Sequence, residues 1–347
     1  MKTPASASLL VLVLLFSCLA LCSCEDEGPW TKPGQMEPMN APPGTARPPA
    51  PAPEPAPAPE PTTAPEPAPA PEPAPEPKHE PPPRKGSVKL TWKLPDGKAL
   101  AYRATVGPVE PKNDPLKGVR IDTLLKSKAL PPAVRSGLAR MKAPPPSATW
   151  VLSPSYEQRL LVRVFIEKPI VTKTPPGTPR SSAKAGDLVL RGEIESGGKV
   201  YTALRQQDHN MLTIPFGLSG KHVLPGDRWE LDVKLVEMPP GFKDEKTSRI
   251  NKVRLAGWRQ AGSDRLAVLE YLVTEDIAGV FNPLSRPKAQ RFSAALVAVG
   301  ELSVKRGCWR RFAGQLFTRT AGVLNREERQ VFYLEPLPKV PARYLEK

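Results

Sequence analysis

The chain reads as mainly β: an antiparallel sandwich or curved half-barrel with one or two short helices, behind a disordered Pro-rich N-terminal tether. Three observations predict this. Apolar and polar residues alternate with period two in many short runs, as half-buried strands require. Turn signals built on Gly separate those runs. Only the stretch 120–141 carries a helical pattern, and Pro131-Pro132 must split it into two short pieces.

In chain order, Val88, Leu90, Trp92 and Leu94 alternate with Lys89, Thr91 and Lys93. Asp96-Gly97 then supplies a tight turn and Leu100, Tyr102 and Thr105 resume, so 87–106 is expected to be a hairpin. Residues 160–166 read as a more buried strand. The stretch 187–195, a Gly197-Gly198 turn and 199–205 predict a second hairpin. Trp229, Leu231, Val233 and Leu235 alternate with Glu230, Asp232 and Lys234, predicting a strand over 229–235. Residues 252–258 and 266–273 pair around Gly262-Ser263, and 296–304 pairs with 309–320 around Arg306-Gly307. Prolines at 144–146, 175–176 and 239–240 mark loops.

Ahead of this body lies a different kind of sequence. Residues 1–24 form a signal peptide: Lys2 is the side-chain cation, and the apolar run 9–21 is shorter than the ~20 residues of a membrane span. Residues 25–85 form a linker of near-repeats such as PAPEPAPAPEP. Its side chains bury too little apolar surface to offset the entropy of ordering. Its prolines favour an extended form of ~3.1 Å per residue, so about 55 residues reach on the order of 150 Å. The linker is read as a solvated spacer without a partner of its own, the alternative being recognition of its Pro-rich stretch by an SH3-like module, for which the repeat offers no distinctive anchors. Residues 86–347 are then the β-rich globular body, with 206–225 as the alternative point of subdivision.

Charge separates along the chain. The whole carries +15, yet 25–85 hold ten acidic and five basic residues. The body is therefore at about +19, which favours long-range attraction to anionic surfaces.

Leu21-Cys22-Ser23-Cys24 resembles the bacterial lipobox, in which the last Cys receives diacylglycerol. The resemblance implies lipidation at Cys24 and attachment to a membrane of the cell envelope. Leu15-Phe16-Ser17-Cys18 is a second candidate, and Cys22-Ser23-Cys24 also fits a small-x-small site for ordinary secretion. Three of the 4 Cys fall in the signal, leaving Cys308 alone in the body. The stretch LPGDRWELDVKL, then KVRLAGW, the hairpin with Leu266, Val268 and Tyr271, and GELSVKRGCWRRFAGQLFTRT resemble a loose, uncharacterised group of bacterial envelope lipoproteins. In that group a Gly-Asp-x-Trp opens a strand and a Gly-rich hairpin closes the sheet. The resemblance spans 220–322 and implies a fold and an envelope setting, with no activity.

Signals for chemistry are sparse. His209 and His222 flank the apolar run MLTIPFGL, and a dyad with Asp208 or Ser219 can be drawn, but surface histidines are the simpler reading. Cys308 beside Arg306, Arg310 and Arg311 is either an activated thiolate or a buried inert thiol, and the latter is favoured. No phosphate loop, His-Glu-x-x-His, EF-hand spacing or Cys pair occurs, so no cofactor or metal is expected. Basic residues interleaved with Trp258 and Trp309 remain: Lys252, Arg254 and Arg259, and Lys305, Arg306, Arg310 and Arg311, with Arg249 and Arg319 nearby. These seven are the candidate anion-binding residues, the alternative being a solvated outer sheet face that uses Lys and Arg.

The expected function is that of a non-enzymatic, lipid-anchored envelope protein facing the outer membrane or periplasm. It binds an anionic envelope polymer, lipid headgroups or another envelope protein, and nucleic acid is not an expected partner. The alternatives are a carrier of an apolar ligand or lipid in a hollow sheet, and a hydrolase built on His209 or His222.

Overall fold

A computed structural model describes residues 84–127, 130–171, 182–201, 206–281, 288–323 and 325–345. The signal with Cys24, residues 25–83 of the linker and the prolines 175–176 lie outside the described residues.

Eleven strands form one antiparallel sheet, which is not closed into a barrel. In spatial order they are β10 (Arg228–Glu230), β11 (Phe242–Ala261), β12 (Asp264–Phe281), β13 (Lys288–Ser303), β14 (Cys308–Ala321), β15 (Arg326–Pro336), β2 (Leu100–Pro108), β3 (Pro146–Pro154), β4 (Arg159–Ile166), β7 (Leu188–Glu195) and β8 (Val200–Tyr201). Two meanders are thereby fused where the late strand β15 pairs with the early strand β2, Val331 opposite Gly107 and Tyr333 opposite Thr105. Two small ribbons stand apart: β1 (Val88–Lys89) with β9 (His222–Val223), and β5 (Ile170–Val171) with β6 (Ser182–Ala183).

Alternation gives this sheet two buried faces. Val162 and Val164 of β4, Trp150 of β3, Leu269 and Tyr271 of β12, and Leu296 and Ala298 of β13 enter one continuous inner core. Strands far apart in the sheet order share that core, so the sheet must bend around it. Its filling is α3 (Gln206–Phe216) together with Trp92. The Trp92 indole N–H donates to the Phe216 carbonyl at 2.7 Å, and that of Trp309 to the Pro215 carbonyl at 2.8 Å. The last carbonyls of a helix lack partners within it, and the two indoles supply them here. The rings meet edge-on, 5.4 Å between centroids. Gly300 makes room for them: a Cβ there would stand 2.7 Å from the Trp309 ring. On the outer face, α1 (Ile121–Lys126) and α2 (Pro132–Arg140) cover β12–β15 through Leu124, Val134, Leu138, Val297 and Phe317. A C-terminal segment with Tyr344 covers Ala101, Val151 and Phe165.

The mainly β, antiparallel class, the split helical stretch 120–141 and most hairpins are as the sequence predicts. Two local expectations change. Residues 87–106 are not a hairpin, because β1 pairs with β9, Val88 opposite Val223. The run 90–93 instead crosses the core: the Trp92 N–H bonds to Ser196 and the Lys93 N–H to Gly307, both at 2.8 Å. The strand expected over 229–235 stops at Glu230. Beyond it, after a last backbone bond from the Leu231 N–H to the Asn251 carbonyl at 3.3 Å, side chains replace the ladder. Lys234 donates its N–H to Asn210 Oδ1 at 3.1 Å, Asn251 donates Nδ2–H to the Val233 carbonyl, and the Val236 N–H reaches Glu275 Oε2 at 2.9 Å. Helix α3 and strands β3 and β15 go beyond what the sequence analysis assigned. The 206–225 stretch supplies α3 and β9, with α3 inside the common core.

Trp92→Phe, which keeps most of the ring and removes the donor, is expected to cost about 1–3 kcal/mol. Trp92→Ala, which also leaves a cavity, should cost about 3–5 kcal/mol. Urea unfolding measures both, and a Phe variant as stable as wild type would show that the indole does not hold the end of α3.

Candidate functional site

The outward side chains of the β10–β12 edge form a basic cleft. Inward Val253 and Leu255 force Lys252 and Arg254 outward. Register sets Arg228 of β10 opposite Arg254, and Arg254 opposite Glu270 of β12. Lys252 lies opposite Leu272, and Ile250 is the next outward position of β11. The end of α1 brings Lys126 and Ser127 over this surface, and Leu130 follows. The space enclosed is ≈ 480 Å³, lined by Lys126, Arg228, Lys252 and Arg254 above an apolar floor of Leu130, Ile250 and Leu272.

Glu270 is the carboxylate in this lining, and its side chain is only 2% exposed. Arg254 donates Nε–H to its Oε2 at 3.0 Å and a second N–H to the same oxygen, while Arg135 of α2 approaches from the other side. Two guanidiniums on one carboxylate leave that group at +1, so Glu270 does not neutralise the cleft. Among the described residues, Lys126, Arg228 and Lys252 make no ion pair. Glu230 stands opposite Lys252 in register, without a salt bridge between them. Chemically, the cleft can hold an anion by charge and donate several N–H groups to it, with apolar surface beneath.

The seven predicted anion-binding residues do not form one patch. Lys252 and Arg254 line the cleft. Arg259, past a bulge in β11, pairs with Glu301 at 2.7 Å. Arg311 donates to the Ala139 carbonyl at 3.0 Å, at the C-terminal end of α2, where a cation is favoured. Lys305 and Arg306 sit exposed at the β13–β14 turn, and Arg310 is exposed on β14. Trp309 is no part of a cation-and-aromatic surface, since it is fully buried in the core. Trp258 is half-buried, with the Arg265 guanidinium 3.9 Å above its ring. Sequence reasoning missed Lys126, Arg228 and Arg135, which reach the cleft from separate elements. Their only common signal was placement opposite β11 and β12, which requires the register.

The remaining chemical candidates fall apart in space. His209 Nε2 lies 3.5 Å from Asp232, an exposed carboxylate, and the Ser219 hydroxyl donates to the Lys221 carbonyl at 2.9 Å. His222 is exposed on β9, opposite Lys89. Cys308 is buried and free, and burial pushes its thiol up despite the opposing pull of Arg306. The inert thiol is the reading this geometry favours. Among the described residues, no group of three or more His, Cys, Asp or Glu could hold a metal ion. No helix among them is long and apolar enough to cross a membrane. No family model matches the chain, and no curated protein matches it.

Glu270→Gln would leave Arg135 and Arg254 facing a neutral amide. Breaking a fully buried pair costs about 3–5 kcal/mol, and the partial exposure of both arginines lowers the expected loss to about 2–3 kcal/mol. Chemical denaturation of the Gln variant reads this directly, and a change within about 0.5 kcal/mol would contradict the assigned role of Glu270.

Proposed function

We propose that this chain is a lipid-anchored, non-enzymatic protein of the bacterial cell envelope whose β-rich body binds an anionic envelope component through the β10–β12 cleft. One observation carries the binding reading: four cations line a space of ≈ 480 Å³ in which the lining carboxylate is already held by two arginines. The excess of Lys and Arg in the body supports it by raising the local concentration of anions. Lipid attachment at Cys24 rests on Leu21-Cys22-Ser23-Cys24, and the Pro-rich linker then supplies reach from the membrane.

The carrier reading receives less support. Cavities for small ligands run to about 300–1,000 Å³. The cavity on the inner side, lined by Trp150, Met211, Ile214, Leu296 and Phe312, measures ≈ 60 Å³. Helix α3 and the Trp rings occupy the place a lipid would need.

Binding of the full chain to soluble polyphosphate is expected to fall steeply between low and physiological salt. Reversing two cleft cations, Arg228→Glu with Lys252→Glu, should weaken it about tenfold or more, taking about 1 kcal/mol per cation near an anionic surface. Lys305→Glu with Arg306→Glu serves as the comparison at equal net charge. Equal losses from both pairs would mean that diffuse charge, and no particular cleft, binds the polymer. Mass spectrometry of the mature N-terminus should find a diacylglyceryl group on Cys24, and an unmodified mature N-terminus would rule the anchor out.

A further inference from the structure

A second basic feature lies on the outer face of β4 and β7, away from the cleft strands in the sheet order. Val162 and Val164 point into the inner core, so Arg163 between them points outward, beside Val151 of β3. Register sets Arg191 of β7 directly opposite it. Arg163 is only 9% exposed, and its Nε is buried without a hydrogen-bond partner. Among the described residues its guanidinium makes no hydrogen bond and no ion pair. The Phe165 ring lies 5.8 Å from its Cζ, measured to the centroid. Phe165 in turn stacks on Tyr344 at 4.3 Å, so the C-terminal segment walls one side.

This arrangement is unfavourable as it stands. A charge without a counter-ion that loses part of its hydration recovers little from a ring face alone. Like charges directly opposite in an antiparallel pair add repulsion. Burial first, and Arg191 second, push the Arg163 guanidinium below its ordinary value. The neighbouring acids take their hydrogen bonds elsewhere, and Glu193 feels Arg191 only through space. Glu193 accepts from the Ser155 hydroxyl at 2.7 Å and pairs with Arg159, and Glu167 accepts from Thr149, Arg343 and Tyr344.

We infer that Arg163 and Arg191 form a binding site for a compact oxyanion of the phosphate class, either free or carried on a headgroup. Two planar guanidiniums match the several oxygens of such a group through paired N–H donors, which a lone ammonium cannot do. Exposed Arg191 gives access from solvent, and buried Arg163 supplies the charge that gains most from being met. The site is independent of the cleft proposed above.

The experiment follows thermal unfolding of the full chain while inorganic phosphate replaces chloride at constant ionic strength. A saturable rise in the midpoint is expected for wild type. Arg163→Met and Arg191→Met should each abolish it, or weaken the apparent phosphate affinity about tenfold or more. Arg163→Met should be at least as stable as wild type without phosphate, because an apolar side chain replaces an unmet charge. Arg191→Met changes an exposed position, so it reports even where the buried variant folds poorly. The pair Arg228→Glu with Lys252→Glu should keep the phosphate response, separating this site from the cleft. A response to inorganic phosphate assigns the free ion. A response only to phosphatidylglycerol vesicles, absent with phosphatidylcholine and lost in Arg191→Met, assigns a headgroup. A wild-type midpoint indifferent to both probes would show that the charge is met within the chain. That result, or a response unchanged in both Met variants, overturns the inference.

Discussion

The structure depends on filling the concave side of an open sheet. Eleven strands that bend around one core leave a space that their own side chains do not close, and the chain inserts α3 into it. A buried helix end is costly unless its carbonyls find donors. The indoles of Trp92 and Trp309 meet the carbonyls of Phe216 and Pro215 with the same rings that fill the space. Trp92 belongs to the crossing segment and Trp309 to β14, so this contact ties the start of the body to its late strands. Tyr102 strengthens the tie, because its hydroxyl accepts the Trp309 backbone N–H at 2.9 Å.

With the inner side occupied, the charged surface of the cleft lies on the outer face. There the acids are largely consumed by arginines: Glu270 by Arg254 and Arg135, Glu301 by Arg259, Asp114 by Arg329. Arginine suits this task because its fork satisfies two carboxylate oxygens or two elements at once. The surplus positive charge therefore sits on residues with a separate distribution, such as Lys126, Arg228 and Lys252 around the cleft. Total charge sets the sign of the body's attraction, and ion pairing decides where that attraction is concentrated.

Much of this was legible in the sequence, for reasons that separate by range. Period-two alternation and Gly turns mark β7, β12, β13 and β14, because half-buried strands carry that signature locally. Pro131-Pro132 marks the break between α1 and α2 in the same way. The alternation of 88–94 is genuine, but its partner is not the next strand. Trp92 is buried by α3 and β14, contacts separated by more than a hundred residues. Helix α3 was obscured by Pro215 and by an apolar run that a buried strand could equally use. The run 231–235 alternates because Leu231 and Val233 face the core, while its backbone bonds to Asn210 and Asn251, and Glu275 takes the N–H of Val236 just beyond it. Lys252 and Arg254 were legible as basic residues; the cleft was not, since Arg228 and Lys126 join them only through register and the path of α1.

Glu270 and Arg163 show two ways of placing a charge on the buried outer face. For Glu270, three elements converge so that two guanidiniums replace the lost water. For Arg163, strand alternation fixes the position and the cross-strand neighbour is a second arginine. Both are equally constrained by the sheet: a one-residue slip in β4 would send Val162 and Val164 outward and break the inner core. Arg163 is therefore held in place by its apolar neighbours, whatever its own electrostatic balance. A position fixed by packing and unmet in charge is one that an external anion completes without rearranging the fold.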